Sequence, residues 1–117
     1  MAGCAGAAPD GAGTAGTVRW MWIGWLELDL LLGDVHSLKA KRSVVRPVIA
    51  ELRRRFEVSA AEVGDQDLHR RARIGVAVVA DGAAHIGAVL DRVERTVSAR
   101  PELDLLSARR ELRRSDD

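Results

Sequence analysis

At 117 residues, with 47% hydrophobic and 30% charged, the chain has room for one ordinary globular domain. The formal net charge of +1 excludes a uniformly basic or acidic binding protein, so any electrostatic function must sit in one segment. The single cysteine, Cys4, excludes an internal disulfide framework or a cysteine-based zinc cluster.

No apolar run approaches the ~20 residues that cross a bilayer. The opening also lacks the basic start and leucine-rich stretch of a secretory signal, so the cytoplasm is the expected compartment and no membrane partner is expected. The aromatic residues are Trp20, Trp22, Trp25 and Phe56, which makes the expected core aliphatic.

Residues 1–19 read as a disordered tail. Met1 to Thr17 are almost wholly Ala, Gly, Thr and Pro, with only Asp10 charged, and such a stretch has too little bulky apolar surface to offset the entropy of ordering it. Composition changes at Val18, and Met21 opens the structured pattern, so Met21 is an alternative start to Met1.

From Trp20 to Leu32 the apolar residues alternate as in a strand. Trp22, Gly24, Leu26, Leu28 and Leu30 form a wholly apolar face that must be covered. Ile23, Trp25, Glu27, Asp29 and Leu31 form a second, partly wet face, and Gly33-Asp34 breaks the strand.

Ser37 suits the N-cap of a helix over Leu38–Phe56, whose Leu38, Val45, Val48, Ile49, Leu52 and Phe56 recur at helical spacing. Pro47 removes one backbone donor and is expected to kink or divide this helix near Ser43–Arg46. Val58–Val63 reads as a short strand, Gly64–Asp67 begins a loop, and Ala72–Ala80 is a clear strand with Ile74, Val76 and Val78 on one face. Asp81 can cap a second helix carrying Ile86, Val89, Leu90, Val93 and Val97, which Arg100-Pro101 ends. Leu103–Leu112 reads as the last strand, and residues 113–117 as a frayed charged end.

The order β-α-β-β-α-β predicts a single α+β domain over 20–112. It is the ferredoxin-like two-layer sandwich, with an antiparallel sheet in the order 4-1-3-2. The most apolar strand then sits centrally, so local pattern and global fold agree.

The stretches Gly24-Trp25-Leu26-Glu27-Leu28-Asp29-Leu30, His36-Ser37-Leu38-Lys39-Ala40-Lys41-Arg42 and Ile74-Gly75-Val76-Ala77-Val78-Val79 together resemble the YlxP-like bacterial proteins, a family of unknown function. Arg54-Arg55-Phe56, Ala61-Glu62-Val63 and Gln66-Asp67-Leu68 extend the resemblance to about Met21–Leu112. His69 departs from it, standing where the family often has a bulky aromatic, and the Ala/Gly tail is not part of the pattern. The resemblance implies a ferredoxin-like fold, self-association, and a ribosome-related role through the company the family's genes keep. It carries over no catalytic residue.

The most concentrated feature is the basic helix: Lys39, Lys41, Arg42, Arg46, Arg53, Arg54 and Arg55, opposed within it by Glu51. Lys39, Arg42, Arg46 and Arg53 share one face, as phosphate binding requires; a solvated face of an arginine-rich protein gives the same pattern. Lys39, Lys41, Arg42, Arg46 and Arg53 are therefore the candidate nucleic-acid residues, with RNA or a ribosomal particle as the expected partner.

His36 and Ser37 at the helix start form a candidate small-anion site. Ile23, Trp25, Glu27 and Asp29 on the open sheet face are candidate homodimer contacts. Paired Glu27 and Asp29 suit ion pairing with Arg73, Arg109 or Arg110 better than acid–base chemistry, which needs a pocket. Asp65, Asp67 and His69 could ligate a metal from one loop, although a polar loop is the commoner reading. With no triad context and no phosphate-binding glycine loop, no enzyme, cofactor or metal is expected.

Overall fold

The computed structural model describes residues 20–116, and the expected tail over 1–19 lies outside them. Six elements follow one another: β1 Trp22–Leu32, α1 Leu38–Phe56, β2 Ser59–Glu62, β3 Arg71–Ala80, α2 Ala83–Ser98 and β4 Leu103–Arg114. The sheet order is β2-β3-β1-β4 with every pairing antiparallel, as expected of the ferredoxin-like sandwich.

Burial along β1 follows the two-residue period of a strand. Gly24, Leu26, Leu28, Leu30 and Leu32 are buried, while Ile23, Trp25, Glu27, Asp29 and Leu31 are partly covered. The four leucines join Ile74, Val76 and Val78 of β3 and the apolar stripes of both helices in one core. At Gly24 the helix α2 packs directly on the sheet. A Cβ at this position would lie 2.3 Å from Ile86 Cγ2, so any side chain here would force Ile86 or the helix to shift.

The hydroxyl of Ser37 accepts the Ala40 amide hydrogen at 3.0 Å and caps α1 as expected. Val45, Val48, Ile49, Leu52 and Phe56 form its buried stripe, whereas Leu38, placed at the head of that stripe by spacing, is exposed. Pro47 does not divide the helix, which runs unbroken to Phe56 with the proline on its exposed side. Glu57 closes α1 in the left-handed conformation, its amide donating to the Arg53 carbonyl at 3.2 Å.

Several boundaries differ from the sequence reading: β2 is Ser59–Glu62 rather than Val58–Val63, and the start of α2 and the end of β4 also move. Gly82, not Asp81, is the N-cap of α2, and no side chain caps it. Asp81 stands one residue too early for its carboxylate to meet the first-turn amides. The last strand continues past Leu112, because Arg113 and Arg114 pair with Ile23 and Trp22, and the Ser115 amide donates to the Met21 carbonyl at 2.7 Å. A register shift at Asp29/Leu30 admits one extra β4 residue, leaving Leu106 exposed.

Candidate functional site

The outward side of α1 carries Lys39, Arg42, Arg46 and Arg54, all exposed and none with a carboxylate partner among the described residues. Their spacing, at i, i+3, i+7 and i+15, keeps them on one side of a 3.6-residue helix. Elsewhere the arginines are mostly neutralised: Arg55, Arg71, Arg73, Arg100, Arg109, Arg110, Arg113 and Arg114 each lie within salt-bridge distance of an acid.

Arg53 shares this side but is held in place. Its Nε and Nη2 donate to the Ala60 carbonyl at 3.0 and 2.7 Å, tying α1 to β2. A carbonyl positions a guanidinium without cancelling its charge, so Arg53 still adds to the local field.

Lys41 must be corrected. Grouped with the nucleic-acid residues by sequence, it is only 2% exposed and lies among the core side chains. It falls on the buried side of α1, between Val45 and Val48 around the helix. Its ammonium donates to the carbonyls of Asp65 and Leu68 at 2.7 and 2.8 Å and lies 2.7 Å from Glu62 Oε2. Glu62 Oε2 receives no well-directed hydrogen bond, so that contact is one of charge, with the carbonyls taking the directed N–H bonds. Lys41 anchors the β2–β3 loop to α1 and cannot meet a phosphate outside.

The open sheet face carries a ladder of ion pairs. Arg71 Nη2 donates to both oxygens of Asp29 at 2.9 Å, and Arg109 Nη2 to Glu27 Oε1 at 2.8 Å. These hydrogen bonds raise the pKa of each arginine above its ordinary value. The expected role of Glu27 and Asp29 in ion pairing is met, with Arg71 rather than Arg73 as the partner of Asp29. Arg73 instead lies 3.8 Å from Asp65. A depression of ≈ 240 Å³ lies among Glu27, Asp29, Arg73, Ser107 and Arg109. Beside the ladder, Ile23, Trp25, Ala77 and Val79 lie in adjacent register, with Val79 61% exposed and Arg109 5.8 Å from the centre of the Trp25 ring.

At the start of α1, His36 Nε2 lies 2.9 Å from Asp34 Oδ1, and the Ser37 hydroxyl is occupied by the Ala40 amide. An anion arriving there would meet the Asp34 carboxylate first. Among the described residues no group of three His, Cys, Asp or Glu side chains is arranged to hold a metal ion. Nor is any described helix long and apolar enough to cross a membrane.

A larger depression lies between α1 and α2, lined partly by Arg92, Arg95 and Arg100. Sequence reading singled out none of these three as site residues, because their charges are scattered along α2 and the following turn. The helical spacing of Arg92, Arg95 and Thr96 was the one available signal.

Residues 23–110 match the family described as "Protein of unknown function (DUF503)". The chain is also 32% identical over 89 residues to a Bacillus subtilis (strain 168) protein named "Uncharacterized protein YlxP", covering 76% of this chain and 97% of that one.

Proposed function

The chain belongs to the DUF503 family of proteins of unknown function, and we propose that it is a non-catalytic protein that binds RNA through the outward face of α1. The observation that carries this reading is the contrast in charge. Among the described residues, Lys39, Arg42, Arg46 and Arg54 stand without a carboxylate partner on one helix face, whereas most of the other arginines have acidic partners. Unpaired cations aligned on a rigid element are what counterion release from a phosphate backbone rewards. From Lys39 to Arg54 the helix rises roughly 22 Å, the length over which one duplex strand presents about six phosphates.

Recognition of this kind is sequence-independent, since phosphates position a partner while base contacts specify it. No exposed aromatic lies on α1 to stack bases. A ribosomal particle or structured RNA suits such a surface better than a short specific sequence. The test is an RNA-binding assay on the variant carrying Lys39→Glu, Arg42→Glu and Arg46→Glu, with circular dichroism to confirm the fold. Arg53 is left intact, because a carboxylate there would face the Ala60 carbonyl and loosen β2. The reading expects association with RNA and ribosomal particles to be lost; unchanged binding would contradict it.

A second reading rests on the open sheet face, where Ile23, Trp25, Ala77 and Val79 form an apolar strip along a row of ion pairs. Such a strip suits a homodimer in which one patch serves both subunits. It is compatible with the first reading, because α1 lies on the opposite layer.

A further inference from the structure

Between the C-terminal halves of α1 and α2, closed by the turn that leads into β4, lies a cleft of ≈ 550 Å³. Four arginines line it, Arg55 from α1, Arg92 and Arg95 from α2, and Arg100 from the turn, against two acids, Glu51 and Glu102. Both acids are already committed. Arg100 donates to Glu51 through Nη2 and to Glu102 through Nη1 at 3.0 Å, and Arg55 reaches Glu51 at 3.4 Å. Arg92 and Arg95 have no carboxylate partner among the described residues.

Two of these cations are partly held in position. The guanidinium carbons of Arg55 and Arg92 each lie 5.3 Å from the centre of the Phe56 ring, close enough for cation–π attraction. Phe56 is itself buried, which fixes the ring they share. Both helices end beside this cleft, and each C-terminus contributes about half a negative charge. Four guanidiniums against two carboxylates and two such ends leave the cleft net positive.

We propose that this cleft binds the polyphosphate group of a small phosphorylated molecule, of about the size of a nucleoside diphosphate. Guanidinium groups match phosphate oxygens in a two-pronged geometry that an ammonium cannot reproduce, and the cations here are all arginines. The volume falls within the ~300–1,000 Å³ of small-ligand sites. Phe56, Ala99 and Pro101 add apolar wall, and Thr96 adds a hydroxyl. The site is concave, in contrast to the convex outer face of α1, and it stands independently of the RNA-binding reading.

The experiment is calorimetric titration of the full chain, at low salt, with inorganic pyrophosphate, with ADP, and separately with an RNA oligonucleotide. Saturable binding of pyrophosphate and ADP is expected, weakened at least tenfold by Arg92→Ala and Arg95→Ala and unchanged by Arg42→Glu. Arg95 is exposed and has no side-chain partner among the described residues, so its variant remains informative if Arg92→Ala disturbs the Phe56 packing. The proposal is overturned if neither small ligand saturates at millimolar concentration. It is equally overturned if binding survives both cleft variants, if Arg42→Glu weakens it as much, or if RNA alone responds to the cleft variants.

Discussion

Lys41 enters the core because three oxygens await it there, and the same three set the cost of removing it. Truncation would leave the Glu62 carboxylate and the carbonyls of Asp65 and Leu68 facing one another around a void. Breaking a buried pair from one side costs ~3–5 kcal/mol, and Glu62 is partly open to water, so we expect about 2–4 kcal/mol for Lys41→Ala. Urea denaturation measures this directly. A loss under 1 kcal/mol would mean that the loop is held by other contacts.

At the same scale, Glu51 links stability to pH. The hydrogen bond from Arg100 holds its carboxyl below the ordinary carboxylate range, against the opposing effect of burial. A carboxylate with a lowered folded pKa stabilises the protein above its unfolded value, and that contribution disappears as pH falls through the folded one. Arg100→Ala should therefore lower the urea midpoint at pH 7 and lower it progressively less as pH falls below about 4. A loss that stays the same across that range would assign the effect of Arg100 to packing alone.

Among the elements, the packing of α2 on β1 at Gly24 leaves no room for a side chain. Gly24→Ala would drive a methyl to 2.3 Å from Ile86 Cγ2 at a point where the sheet backbone cannot retreat. Overpacking of this kind costs ~1–3 kcal/mol. Thermal unfolding should register it as a fall of at least about 4 °C, since ~1 kcal/mol moves a domain of this size by about 4–8 °C. An unchanged midpoint would show that α2 shifts freely over the sheet.

The elements were also what the sequence displayed best. The alternation in β1 and β3 and the stripes Val45–Phe56 and Ile86–Val97 stated which faces meet, and a sheet with two helices has few ways to satisfy them. Single polar residues were less legible. Lys41 reads as one more cation in a basic run, because its three acceptors come from a strand and a loop more than twenty residues away. Asp81 has the right chemistry for a cap and the wrong offset. The inter-helix cleft depends on how α1 and α2 lie beside each other, so Arg92 and Arg95 carried no mark that separated them from ordinary surface arginines.

Taken whole, the molecule presents two unlike surfaces. The sheet layer ends in the strip of Ile23, Trp25, Ala77 and Val79 beside its ion pairs, and the helix layer carries the cations of α1 that have no carboxylate partner among the described residues. Burying Trp25 against a second copy would enlarge the first surface into an interface, with Glu27 and Arg109 setting its register. Light scattering at high micromolar concentration should give the mass of two chains, and Trp25→Glu should reduce it to one without loss of helical signal. A wild-type mass of one chain would remove the sheet face as a self-association site.

The central claim concerns the second surface, and salt dependence tests it most directly. If Lys39, Arg42 and Arg46 each neutralise a phosphate, the logarithm of the RNA association constant should fall with the logarithm of salt concentration. For single-stranded RNA the slope should be steeper than about −2, at roughly 0.7 per contact. The measurement is fluorescence anisotropy of a labelled RNA over a salt series, for the wild type and for Arg42→Gln and Arg46→Gln together. The account predicts that the double variant loses about 1.4 from the magnitude of the slope. A wild-type slope near zero, or the same slope in both proteins, would contradict it.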